Sequence, residues 1–143
     1  MHRISKKRLR DLGKYKDAKK NLFIDDLKRG NLYCFFSGKQ IKISEELRHE
    51  SDDSLISLLD CHHINQEREN ERLYDTDMMV PVLRYYHTQY HSLSVKQLLL
   101  LPWYQSFLVR LKNKSYEVYR KEMNKQLKAN LITQEEYDAK TTF

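Results

Sequence analysis

A chain of 143 residues, 40% of them hydrophobic and 32% charged, has the material for one modest core beneath a heavily solvated surface. No apolar stretch approaches the roughly 20 residues of a membrane span, and no apolar segment follows the basic N-terminus, so neither a spanning helix nor a secretory signal is expected. Two cysteines, Cys34 and Cys61, are too few for a disulfide framework and fit a reducing compartment.

The net charge of +6 is unevenly placed. Residues 1–29 hold eleven Lys and Arg against four Asp and Glu, whereas residues 30–143 hold fifteen against sixteen. A concentrated basic segment attracts polyanions by counterion release and steering. On charge alone, a solvated helix or tail accounts for it equally well.

In chain order, residues 5–29 read as a basic helix with Leu9, Leu12, Tyr15, Leu22, Phe23 and Leu27 at helical spacing, ended by Gly30-Asn31. Residues 32–43 read as a short hairpin, alternating Leu32, Cys34, Phe36 and Ile41, Ile43 around Ser37-Gly38-Lys39. The acidic residues 44–54 predict a loop or short helix, and Leu55 to Ile64 a strand. A polar loop follows. Met78, Val80 and Val82 predict a second strand, with Pro81 at an edge or end. A helix is expected from Arg84 and another from Ser94. Pro102 fits the first turn of a further helix, one that carries Phe107, Leu111, Tyr116, Tyr119, Met123 and Leu127 on one side. Thr133-Gln134-Glu135-Glu136 is a capping box that starts a last short helix.

The chemistry is concentrated between residues 60 and 91, which hold four of the six histidines. His87 and His91 are four apart, so a helix projects both imidazoles from one face. His62 and His63 are adjacent, so a strand sends them to opposite sides. Three imidazoles bind a first-row divalent metal and leave positions for water and substrate. A fourth histidine, with an unperturbed pKa of about 6.5, suits a general base. Taken singly, each pair is also what a polar strand end, an exposed helix face or a structural zinc site would contain.

The segments Cys61-His62-His63-Ile64, Leu73-Tyr74-Asp75-Thr76-Asp77-Met78-Met79-Val80-Pro81-Val82 and His87-Thr88-Gln89-Tyr90-His91 together resemble the HNH endonuclease motif, the ββα-metal or His-Me finger. In spacing they are similar to colicin-type nuclease domains. The likeness covers about residues 58–92. A looser one reaches back to Cys34-Phe35-Phe36-Ser37-Gly38-Lys39-Gln40-Ile41, similar to the hairpin that precedes the motif in many members.

The resemblance implies a ββα-metal finger; together with the predicted elements the expected fold is α+β, with a basic helical arm at 1–30, an HNH-like ββα-metal core at 31–95 and a helical C-terminal extension at 96–143. It implies His62, His87 and His91 as ligands of one divalent ion, with Mg²⁺ expected first and Mn²⁺, Ni²⁺ or Zn²⁺ as alternatives. His63 is then the base that activates water for phosphodiester hydrolysis. The implied substrate is DNA, ahead of RNA. The backbone-gripping residues would be Lys6, Lys7, Arg8, Arg10, Lys14, Lys16, Lys19, Lys20 and Arg84. A phage or mobile-element enzyme in the bacterial cytoplasm is the expected setting, with no membrane partner. The stretch Leu127 to Ala139 resembles short oligomerisation tails, which makes a homodimer through the C-terminal helices one expectation and a helical hairpin folded on the core the other.

Two positions depart from the family pattern. Met78 stands where the motif has its central Asn, and Met cannot donate the hydrogen bonds that Asn makes. Asp75, Asp77 or Asn70 are candidates to support the ligands in its place. The positions of the family's structural zinc pairs hold Cys34 with Ser37 and Arg84 with Tyr86, so no structural zinc is expected; packing of Phe35, Phe36, Tyr85 and Tyr86 would replace it, and Cys61 reads as a buried strand residue. The departures keep two alternatives open: a finger that binds nucleic acid but has lost catalysis, and a factor that acts on a host protein through its aromatic C-terminal helices.

Overall fold

The computed structural model describes residues 6–64 and 76–142, with side chains from Gly13 in the first helix and from Asp77 in the second stretch. The elements are α1 (Lys6–Arg29), α2 (Asp52–Leu58), β1 (Asp60–His63), β2 (Met79–Val82), α3 (Arg84–Ser92), α4 (Val95–Leu98), α5 (Pro102–Lys114), α6 (Tyr116–Lys128) and α7 (Gln134–Thr141). Helices and a two-stranded antiparallel sheet make the fold α+β. The chain divides into two compact units, Met1–Cys34 with Lys39–Arg84, and Phe35–Gly38 with Tyr85–Phe143.

The first unit packs α1 on α2 beside the β1–β2 pair. Phe23, Ile24 and Leu27 lie along one side of α1 and are buried, as are Leu55 and Ile56 of α2 and Met79, Val80 and Val82 of β2. Strand register sets Asp60 opposite Val82, Cys61 opposite Pro81, His62 opposite Val80 and His63 opposite Met79. Helix α1 ends at Gly30, whose φ of 72° is the left-handed conformation that favours glycine.

Three expectations are corrected here. The apolar run from Leu55 to Ile64 is not one strand: its first part is α2, because Ser51 caps a helix by accepting from the Ser54 N–H and Asp52 and Asp53 fill the first turn. Leu59, extended at ψ 125°, then hands over to β1. The hairpin at 32–43 is a tight turn with a single bridge, Tyr33 to Gln40, flanked by Cys34 N–H to Lys39 O and Ile41 N–H to Leu32 O, both at 2.8 Å. The helix expected from Pro102 through Leu127 breaks at Ser115, which is extended (φ −154°, ψ 104°) and caps α6 by accepting from the Val118 N–H.

The second unit is a helical array with an aromatic centre. Phe36 is fully buried and its ring meets those of Tyr90, Trp103 and Phe107 at 4.9–5.6 Å. Arg110 holds the turn that carries Phe36, donating to the Phe35 and Phe36 carbonyls at 2.6 Å each. The same guanidinium lies 3.1 Å from where a Cβ on Gly38 would sit, and Gly38 has φ 77°, so both sterics and backbone select glycine there. Tyr85, by contrast, is two-thirds exposed and touches Tyr86 edge-on, so it belongs to the surface rather than to this centre. The capping boxes Ser94–Gln97 and Thr133–Glu136 both form. Helix α7 packs on α6 and buries none of its own residues.

Candidate metal centre

Strand β1 alternates its side chains, and the two histidines at its end separate accordingly. His62 is buried, 3% exposed, while His63 is half-buried. Helix α3 stacks His87 and His91 one turn apart, ring centroids 4.7 Å and edge-on. Their surroundings are aromatic: Phe36 lies 6.1 Å from the His87 ring and Tyr90 5.4 Å from the His91 ring.

His62, His87 and His91 each offer one ligand atom, and these atoms all lie within 4.8 Å of one another. Nitrogens bound tetrahedrally at about 2.1 Å to one ion sit roughly 3.4 Å apart. Three neutral nitrogen donors suit a first-row divalent ion, and they run from buried (His62) through half-buried (His87) to exposed (His91). The group could hold a metal ion.

Cys61, buried in the same strand, is not among the three grouped donors. Burial, with a smaller contribution from the charge of Asp60 and against the effect of Lys19, pushes its thiol up to about 12, so it stays protonated. Cys34 is also buried, and its Sγ accepts from the Leu83 N–H at 3.2 Å.

At the start of the same strand, Asp60 is gripped by Arg84, the first residue of α3. The Arg84 Nε and a terminal nitrogen donate to the two carboxylate oxygens at 3.2 and 3.0 Å. Arg84, expected to contact phosphate, is thus engaged with a carboxylate. Sequence reasoning passed over Asp60, although its position two residues before His62 puts it on the same strand face.

The position of the motif Asn behaves differently from a side-chain anchor. Met78 ends a 3-10 turn, is half-buried, and accepts from the Ile64 N–H at 2.9 Å through its backbone carbonyl. That bond extends the strand ladder one step past His63 by main chain alone. Asp77 is exposed. Asp75 and Asn70 lie outside the described residues.

The basic arm is less uniform than its charge pattern. Lys14 and Lys16 are exposed. Lys19 is buried and its ammonium donates to the Leu59 carbonyl at 3.0 Å, so it braces α1 against the start of β1. Burial, outweighing the attraction of Cys61 and Asp60, lowers its pKa. Lys20 pairs with Asp53 at 3.0 Å, and Lys28 pairs with Asp52. The acidic residues Asp52 and Asp53 therefore meet the basic arm. For Lys6, Lys7, Arg8 and Arg10 the backbone belongs to α1, and their side chains lie outside the described residues.

A second contact joins α1 to the histidines. The Tyr15 ring lies against His63, with centroids 5.6 Å apart and planes tilted 34°. The Lys19 ammonium lies 5.5 Å from the Tyr15 ring centroid. Neither contact is visible in a motif, because α1 lies outside the stretch that carries the likeness.

In comparisons with known proteins, no family model, no curated protein and no solved structure matches the chain. No helix among the described residues is long and apolar enough to cross a membrane.

Proposed function

We propose that the chain is a metal-dependent endonuclease that hydrolyses phosphodiester bonds in DNA by nicking or cutting, built on a ββα-metal finger of the HNH type. The observation that carries this reading is the convergence of the His62, His87 and His91 donors within 4.8 Å, with a fourth histidine next in the strand. His62, His87 and His91 would hold one divalent ion, Mg²⁺ first among the alternatives. When bound, the ion supplies Lewis-acid stabilisation for charge on the scissile phosphate and the leaving 3′ oxygen.

The chain's own groups do the rest. His63 takes a proton from the attacking water at an imidazole nitrogen while the new P–O bond forms and the bond to the 3′ oxygen breaks. Lys14 and Lys16, exposed on the arm, hold the phosphate backbone without reading bases. The proposed setting is the cytoplasm of a bacterial host, for a phage or mobile-element enzyme.

A second reading, a finger that binds DNA without cutting it, is favoured by Met78, which supplies only a backbone carbonyl at the position of the motif's Asn. A plasmid-nicking assay with Mg²⁺, Mn²⁺ or Ni²⁺ separates the two. The wild type should nick; His63→Ala should lose nicking and keep metal; His87→Ala should lose both. DNA binding without cutting under every metal would favour the second reading, and neither binding nor cutting would favour a factor that acts on a host protein.

A further inference from the structure

We propose that Tyr15 is a positioning residue for His63: its ring holds the imidazole in the orientation from which it takes a proton, and so ties the DNA-gripping arm to the reaction. The inference rests on the nuclease reading above.

His63 stands where such a contact can act. It is the last residue of β1, it is half-buried, and it lies on the opposite side of the strand from His62. The imidazole torsion of a histidine is broad and roughly two-fold, so a ring at a strand end requires a neighbour to define it. The Tyr15 ring, 5.6 Å away, is one neighbour that bears on it. Tyr15 is itself held. It lies one helical turn before Lys19, whose ammonium lies 5.5 Å from the Tyr15 ring centroid and is bonded to the Leu59 carbonyl. Helix α1 is thereby fastened just before β1 through Lys19 and meets its last residue through Tyr15. Lys14 and Lys16, exposed and flanking Tyr15 in sequence, place the backbone grip on the same turn of helix. The contact is between rings, so the aromatic face, not the hydroxyl, is the part that matters.

The test uses the full chain with Tyr15→Phe, Tyr15→Leu and Tyr15→Ala, kinetics with Mn²⁺, and NMR of the histidine side chains. Tyr15→Phe should keep kcat within about twofold, whereas Tyr15→Leu and Tyr15→Ala should lower it about tenfold or more, because small misplacements of a reacting group cost up to roughly a hundredfold. KM and metal affinity should stay near wild type in all three. In Tyr15→Leu, which keeps apolar volume and guards against loss of the fold, the His63 ring resonances should shift and broaden while those of His62, His87 and His91 stay in place. Wild-type kcat in Tyr15→Leu, or unmoved His63 resonances, overturns the proposal alone. Loss in Tyr15→Phe equal to that in Tyr15→Ala also overturns it, since the ring is then not what counts. A wild type that does not cut under Mg²⁺, Mn²⁺ or Ni²⁺ refutes the nuclease reading, and the role of Tyr15 with it.

Discussion

Arg84 closes a two-pronged ion pair on Asp60, with donor–acceptor distances of 3.2 and 3.0 Å. Asp60 opens the strand that carries His62, and Arg84 opens the helix that carries His87 and His91. A planar guanidinium that engages both carboxylate oxygens fixes direction as well as distance. The pair joins the first residue of the strand that carries one candidate ligand to the first residue of the helix that carries the other two. Asp60→Asn and Arg84→Lys should each weaken metal binding by roughly two- to fivefold, the scale of an exposed ion pair. Lysine should not rescue the arginine, because it cannot reproduce the fork. Isothermal titration with Zn²⁺ or Ni²⁺ checks this, and an unchanged affinity in both variants would show that the pair plays no part in the site.

The two faces of the arm should separate in the salt dependence of DNA binding. Each phosphate contact adds about 0.9 to the slope of log K against log salt. Lys14→Ala and Lys16→Ala should each reduce the slope by about that amount. Lys19→Met should leave it unchanged, because the Lys19 ammonium is buried against the Leu59 carbonyl. Lys20→Ala should reduce it less than Lys16→Ala, because Asp53 already pairs with Lys20. Equal losses at all four positions would contradict the arrangement.

In the second unit a buried carboxylate organises the helices. Glu122, 4% exposed, accepts from Tyr90 at 2.9 Å, Tyr104 at 2.6 Å and Lys125 at 3.1 Å. Glu122→Ala leaves two tyrosine hydroxyls without their acceptor and should destabilise by about 3–5 kcal/mol. Glu122→Gln, which keeps an acceptor, should cost about 1–2 kcal/mol. Burial first, then the Glu122 charge and hydrogen bond, raises the Tyr104 pKa far above the ordinary value of 10.0. A raised folded-state pKa means that this contribution is complete below pH 10 and is lost as pH climbs above it. Urea melts of the three proteins supply the values.

Cys61 gives a separate alkaline signature. Its folded-state pKa of about 12 exceeds the ordinary 9.0, so the stability that comes from keeping the thiol neutral is full below pH 9 and disappears as pH rises through about 12. Wild-type stability should therefore fall more steeply between pH 9 and 12 than that of Cys61→Ala. Disulfide-exchange reagents at pH 8 should leave both thiols unmodified until the protein is unfolded, since Cys34 and Cys61 are both buried.

How far the sequence could be read depended on the range of each interaction. The box at Thr133 and the pair His87–His91 are legible because a helix brings residues three and four apart together without help from the rest of the chain. The run at Leu55 was misread because short apolar stretches suit a strand or a buried helix equally, and the deciding cap, Ser51, lies before the run. Charge alone makes Lys19 a candidate phosphate contact, because charge does not reveal burial. Its signal was present all the same: it continues the i, i+4 series Tyr15, Phe23, Leu27 on the inner face of α1. Glu122 likewise falls between buried Tyr119 and Gln126. The contacts Asp60–Arg84 and Tyr15–His63 span 24 and 48 positions, and no local pattern encodes them.

The central claim is that three particular histidines form one metal site and the fourth does not belong to it. Calorimetric titration of Zn²⁺ into the wild type and the variants His62→Ala, His63→Ala, His87→Ala and His91→Ala tests this directly. The wild type should bind one ion. Removing His62, His87 or His91 should weaken binding by about a hundredfold or more, while removing His63 should change it by less than about threefold. A wild type that binds no ion, or a His63→Ala variant as weak as His87→Ala, would contradict the account.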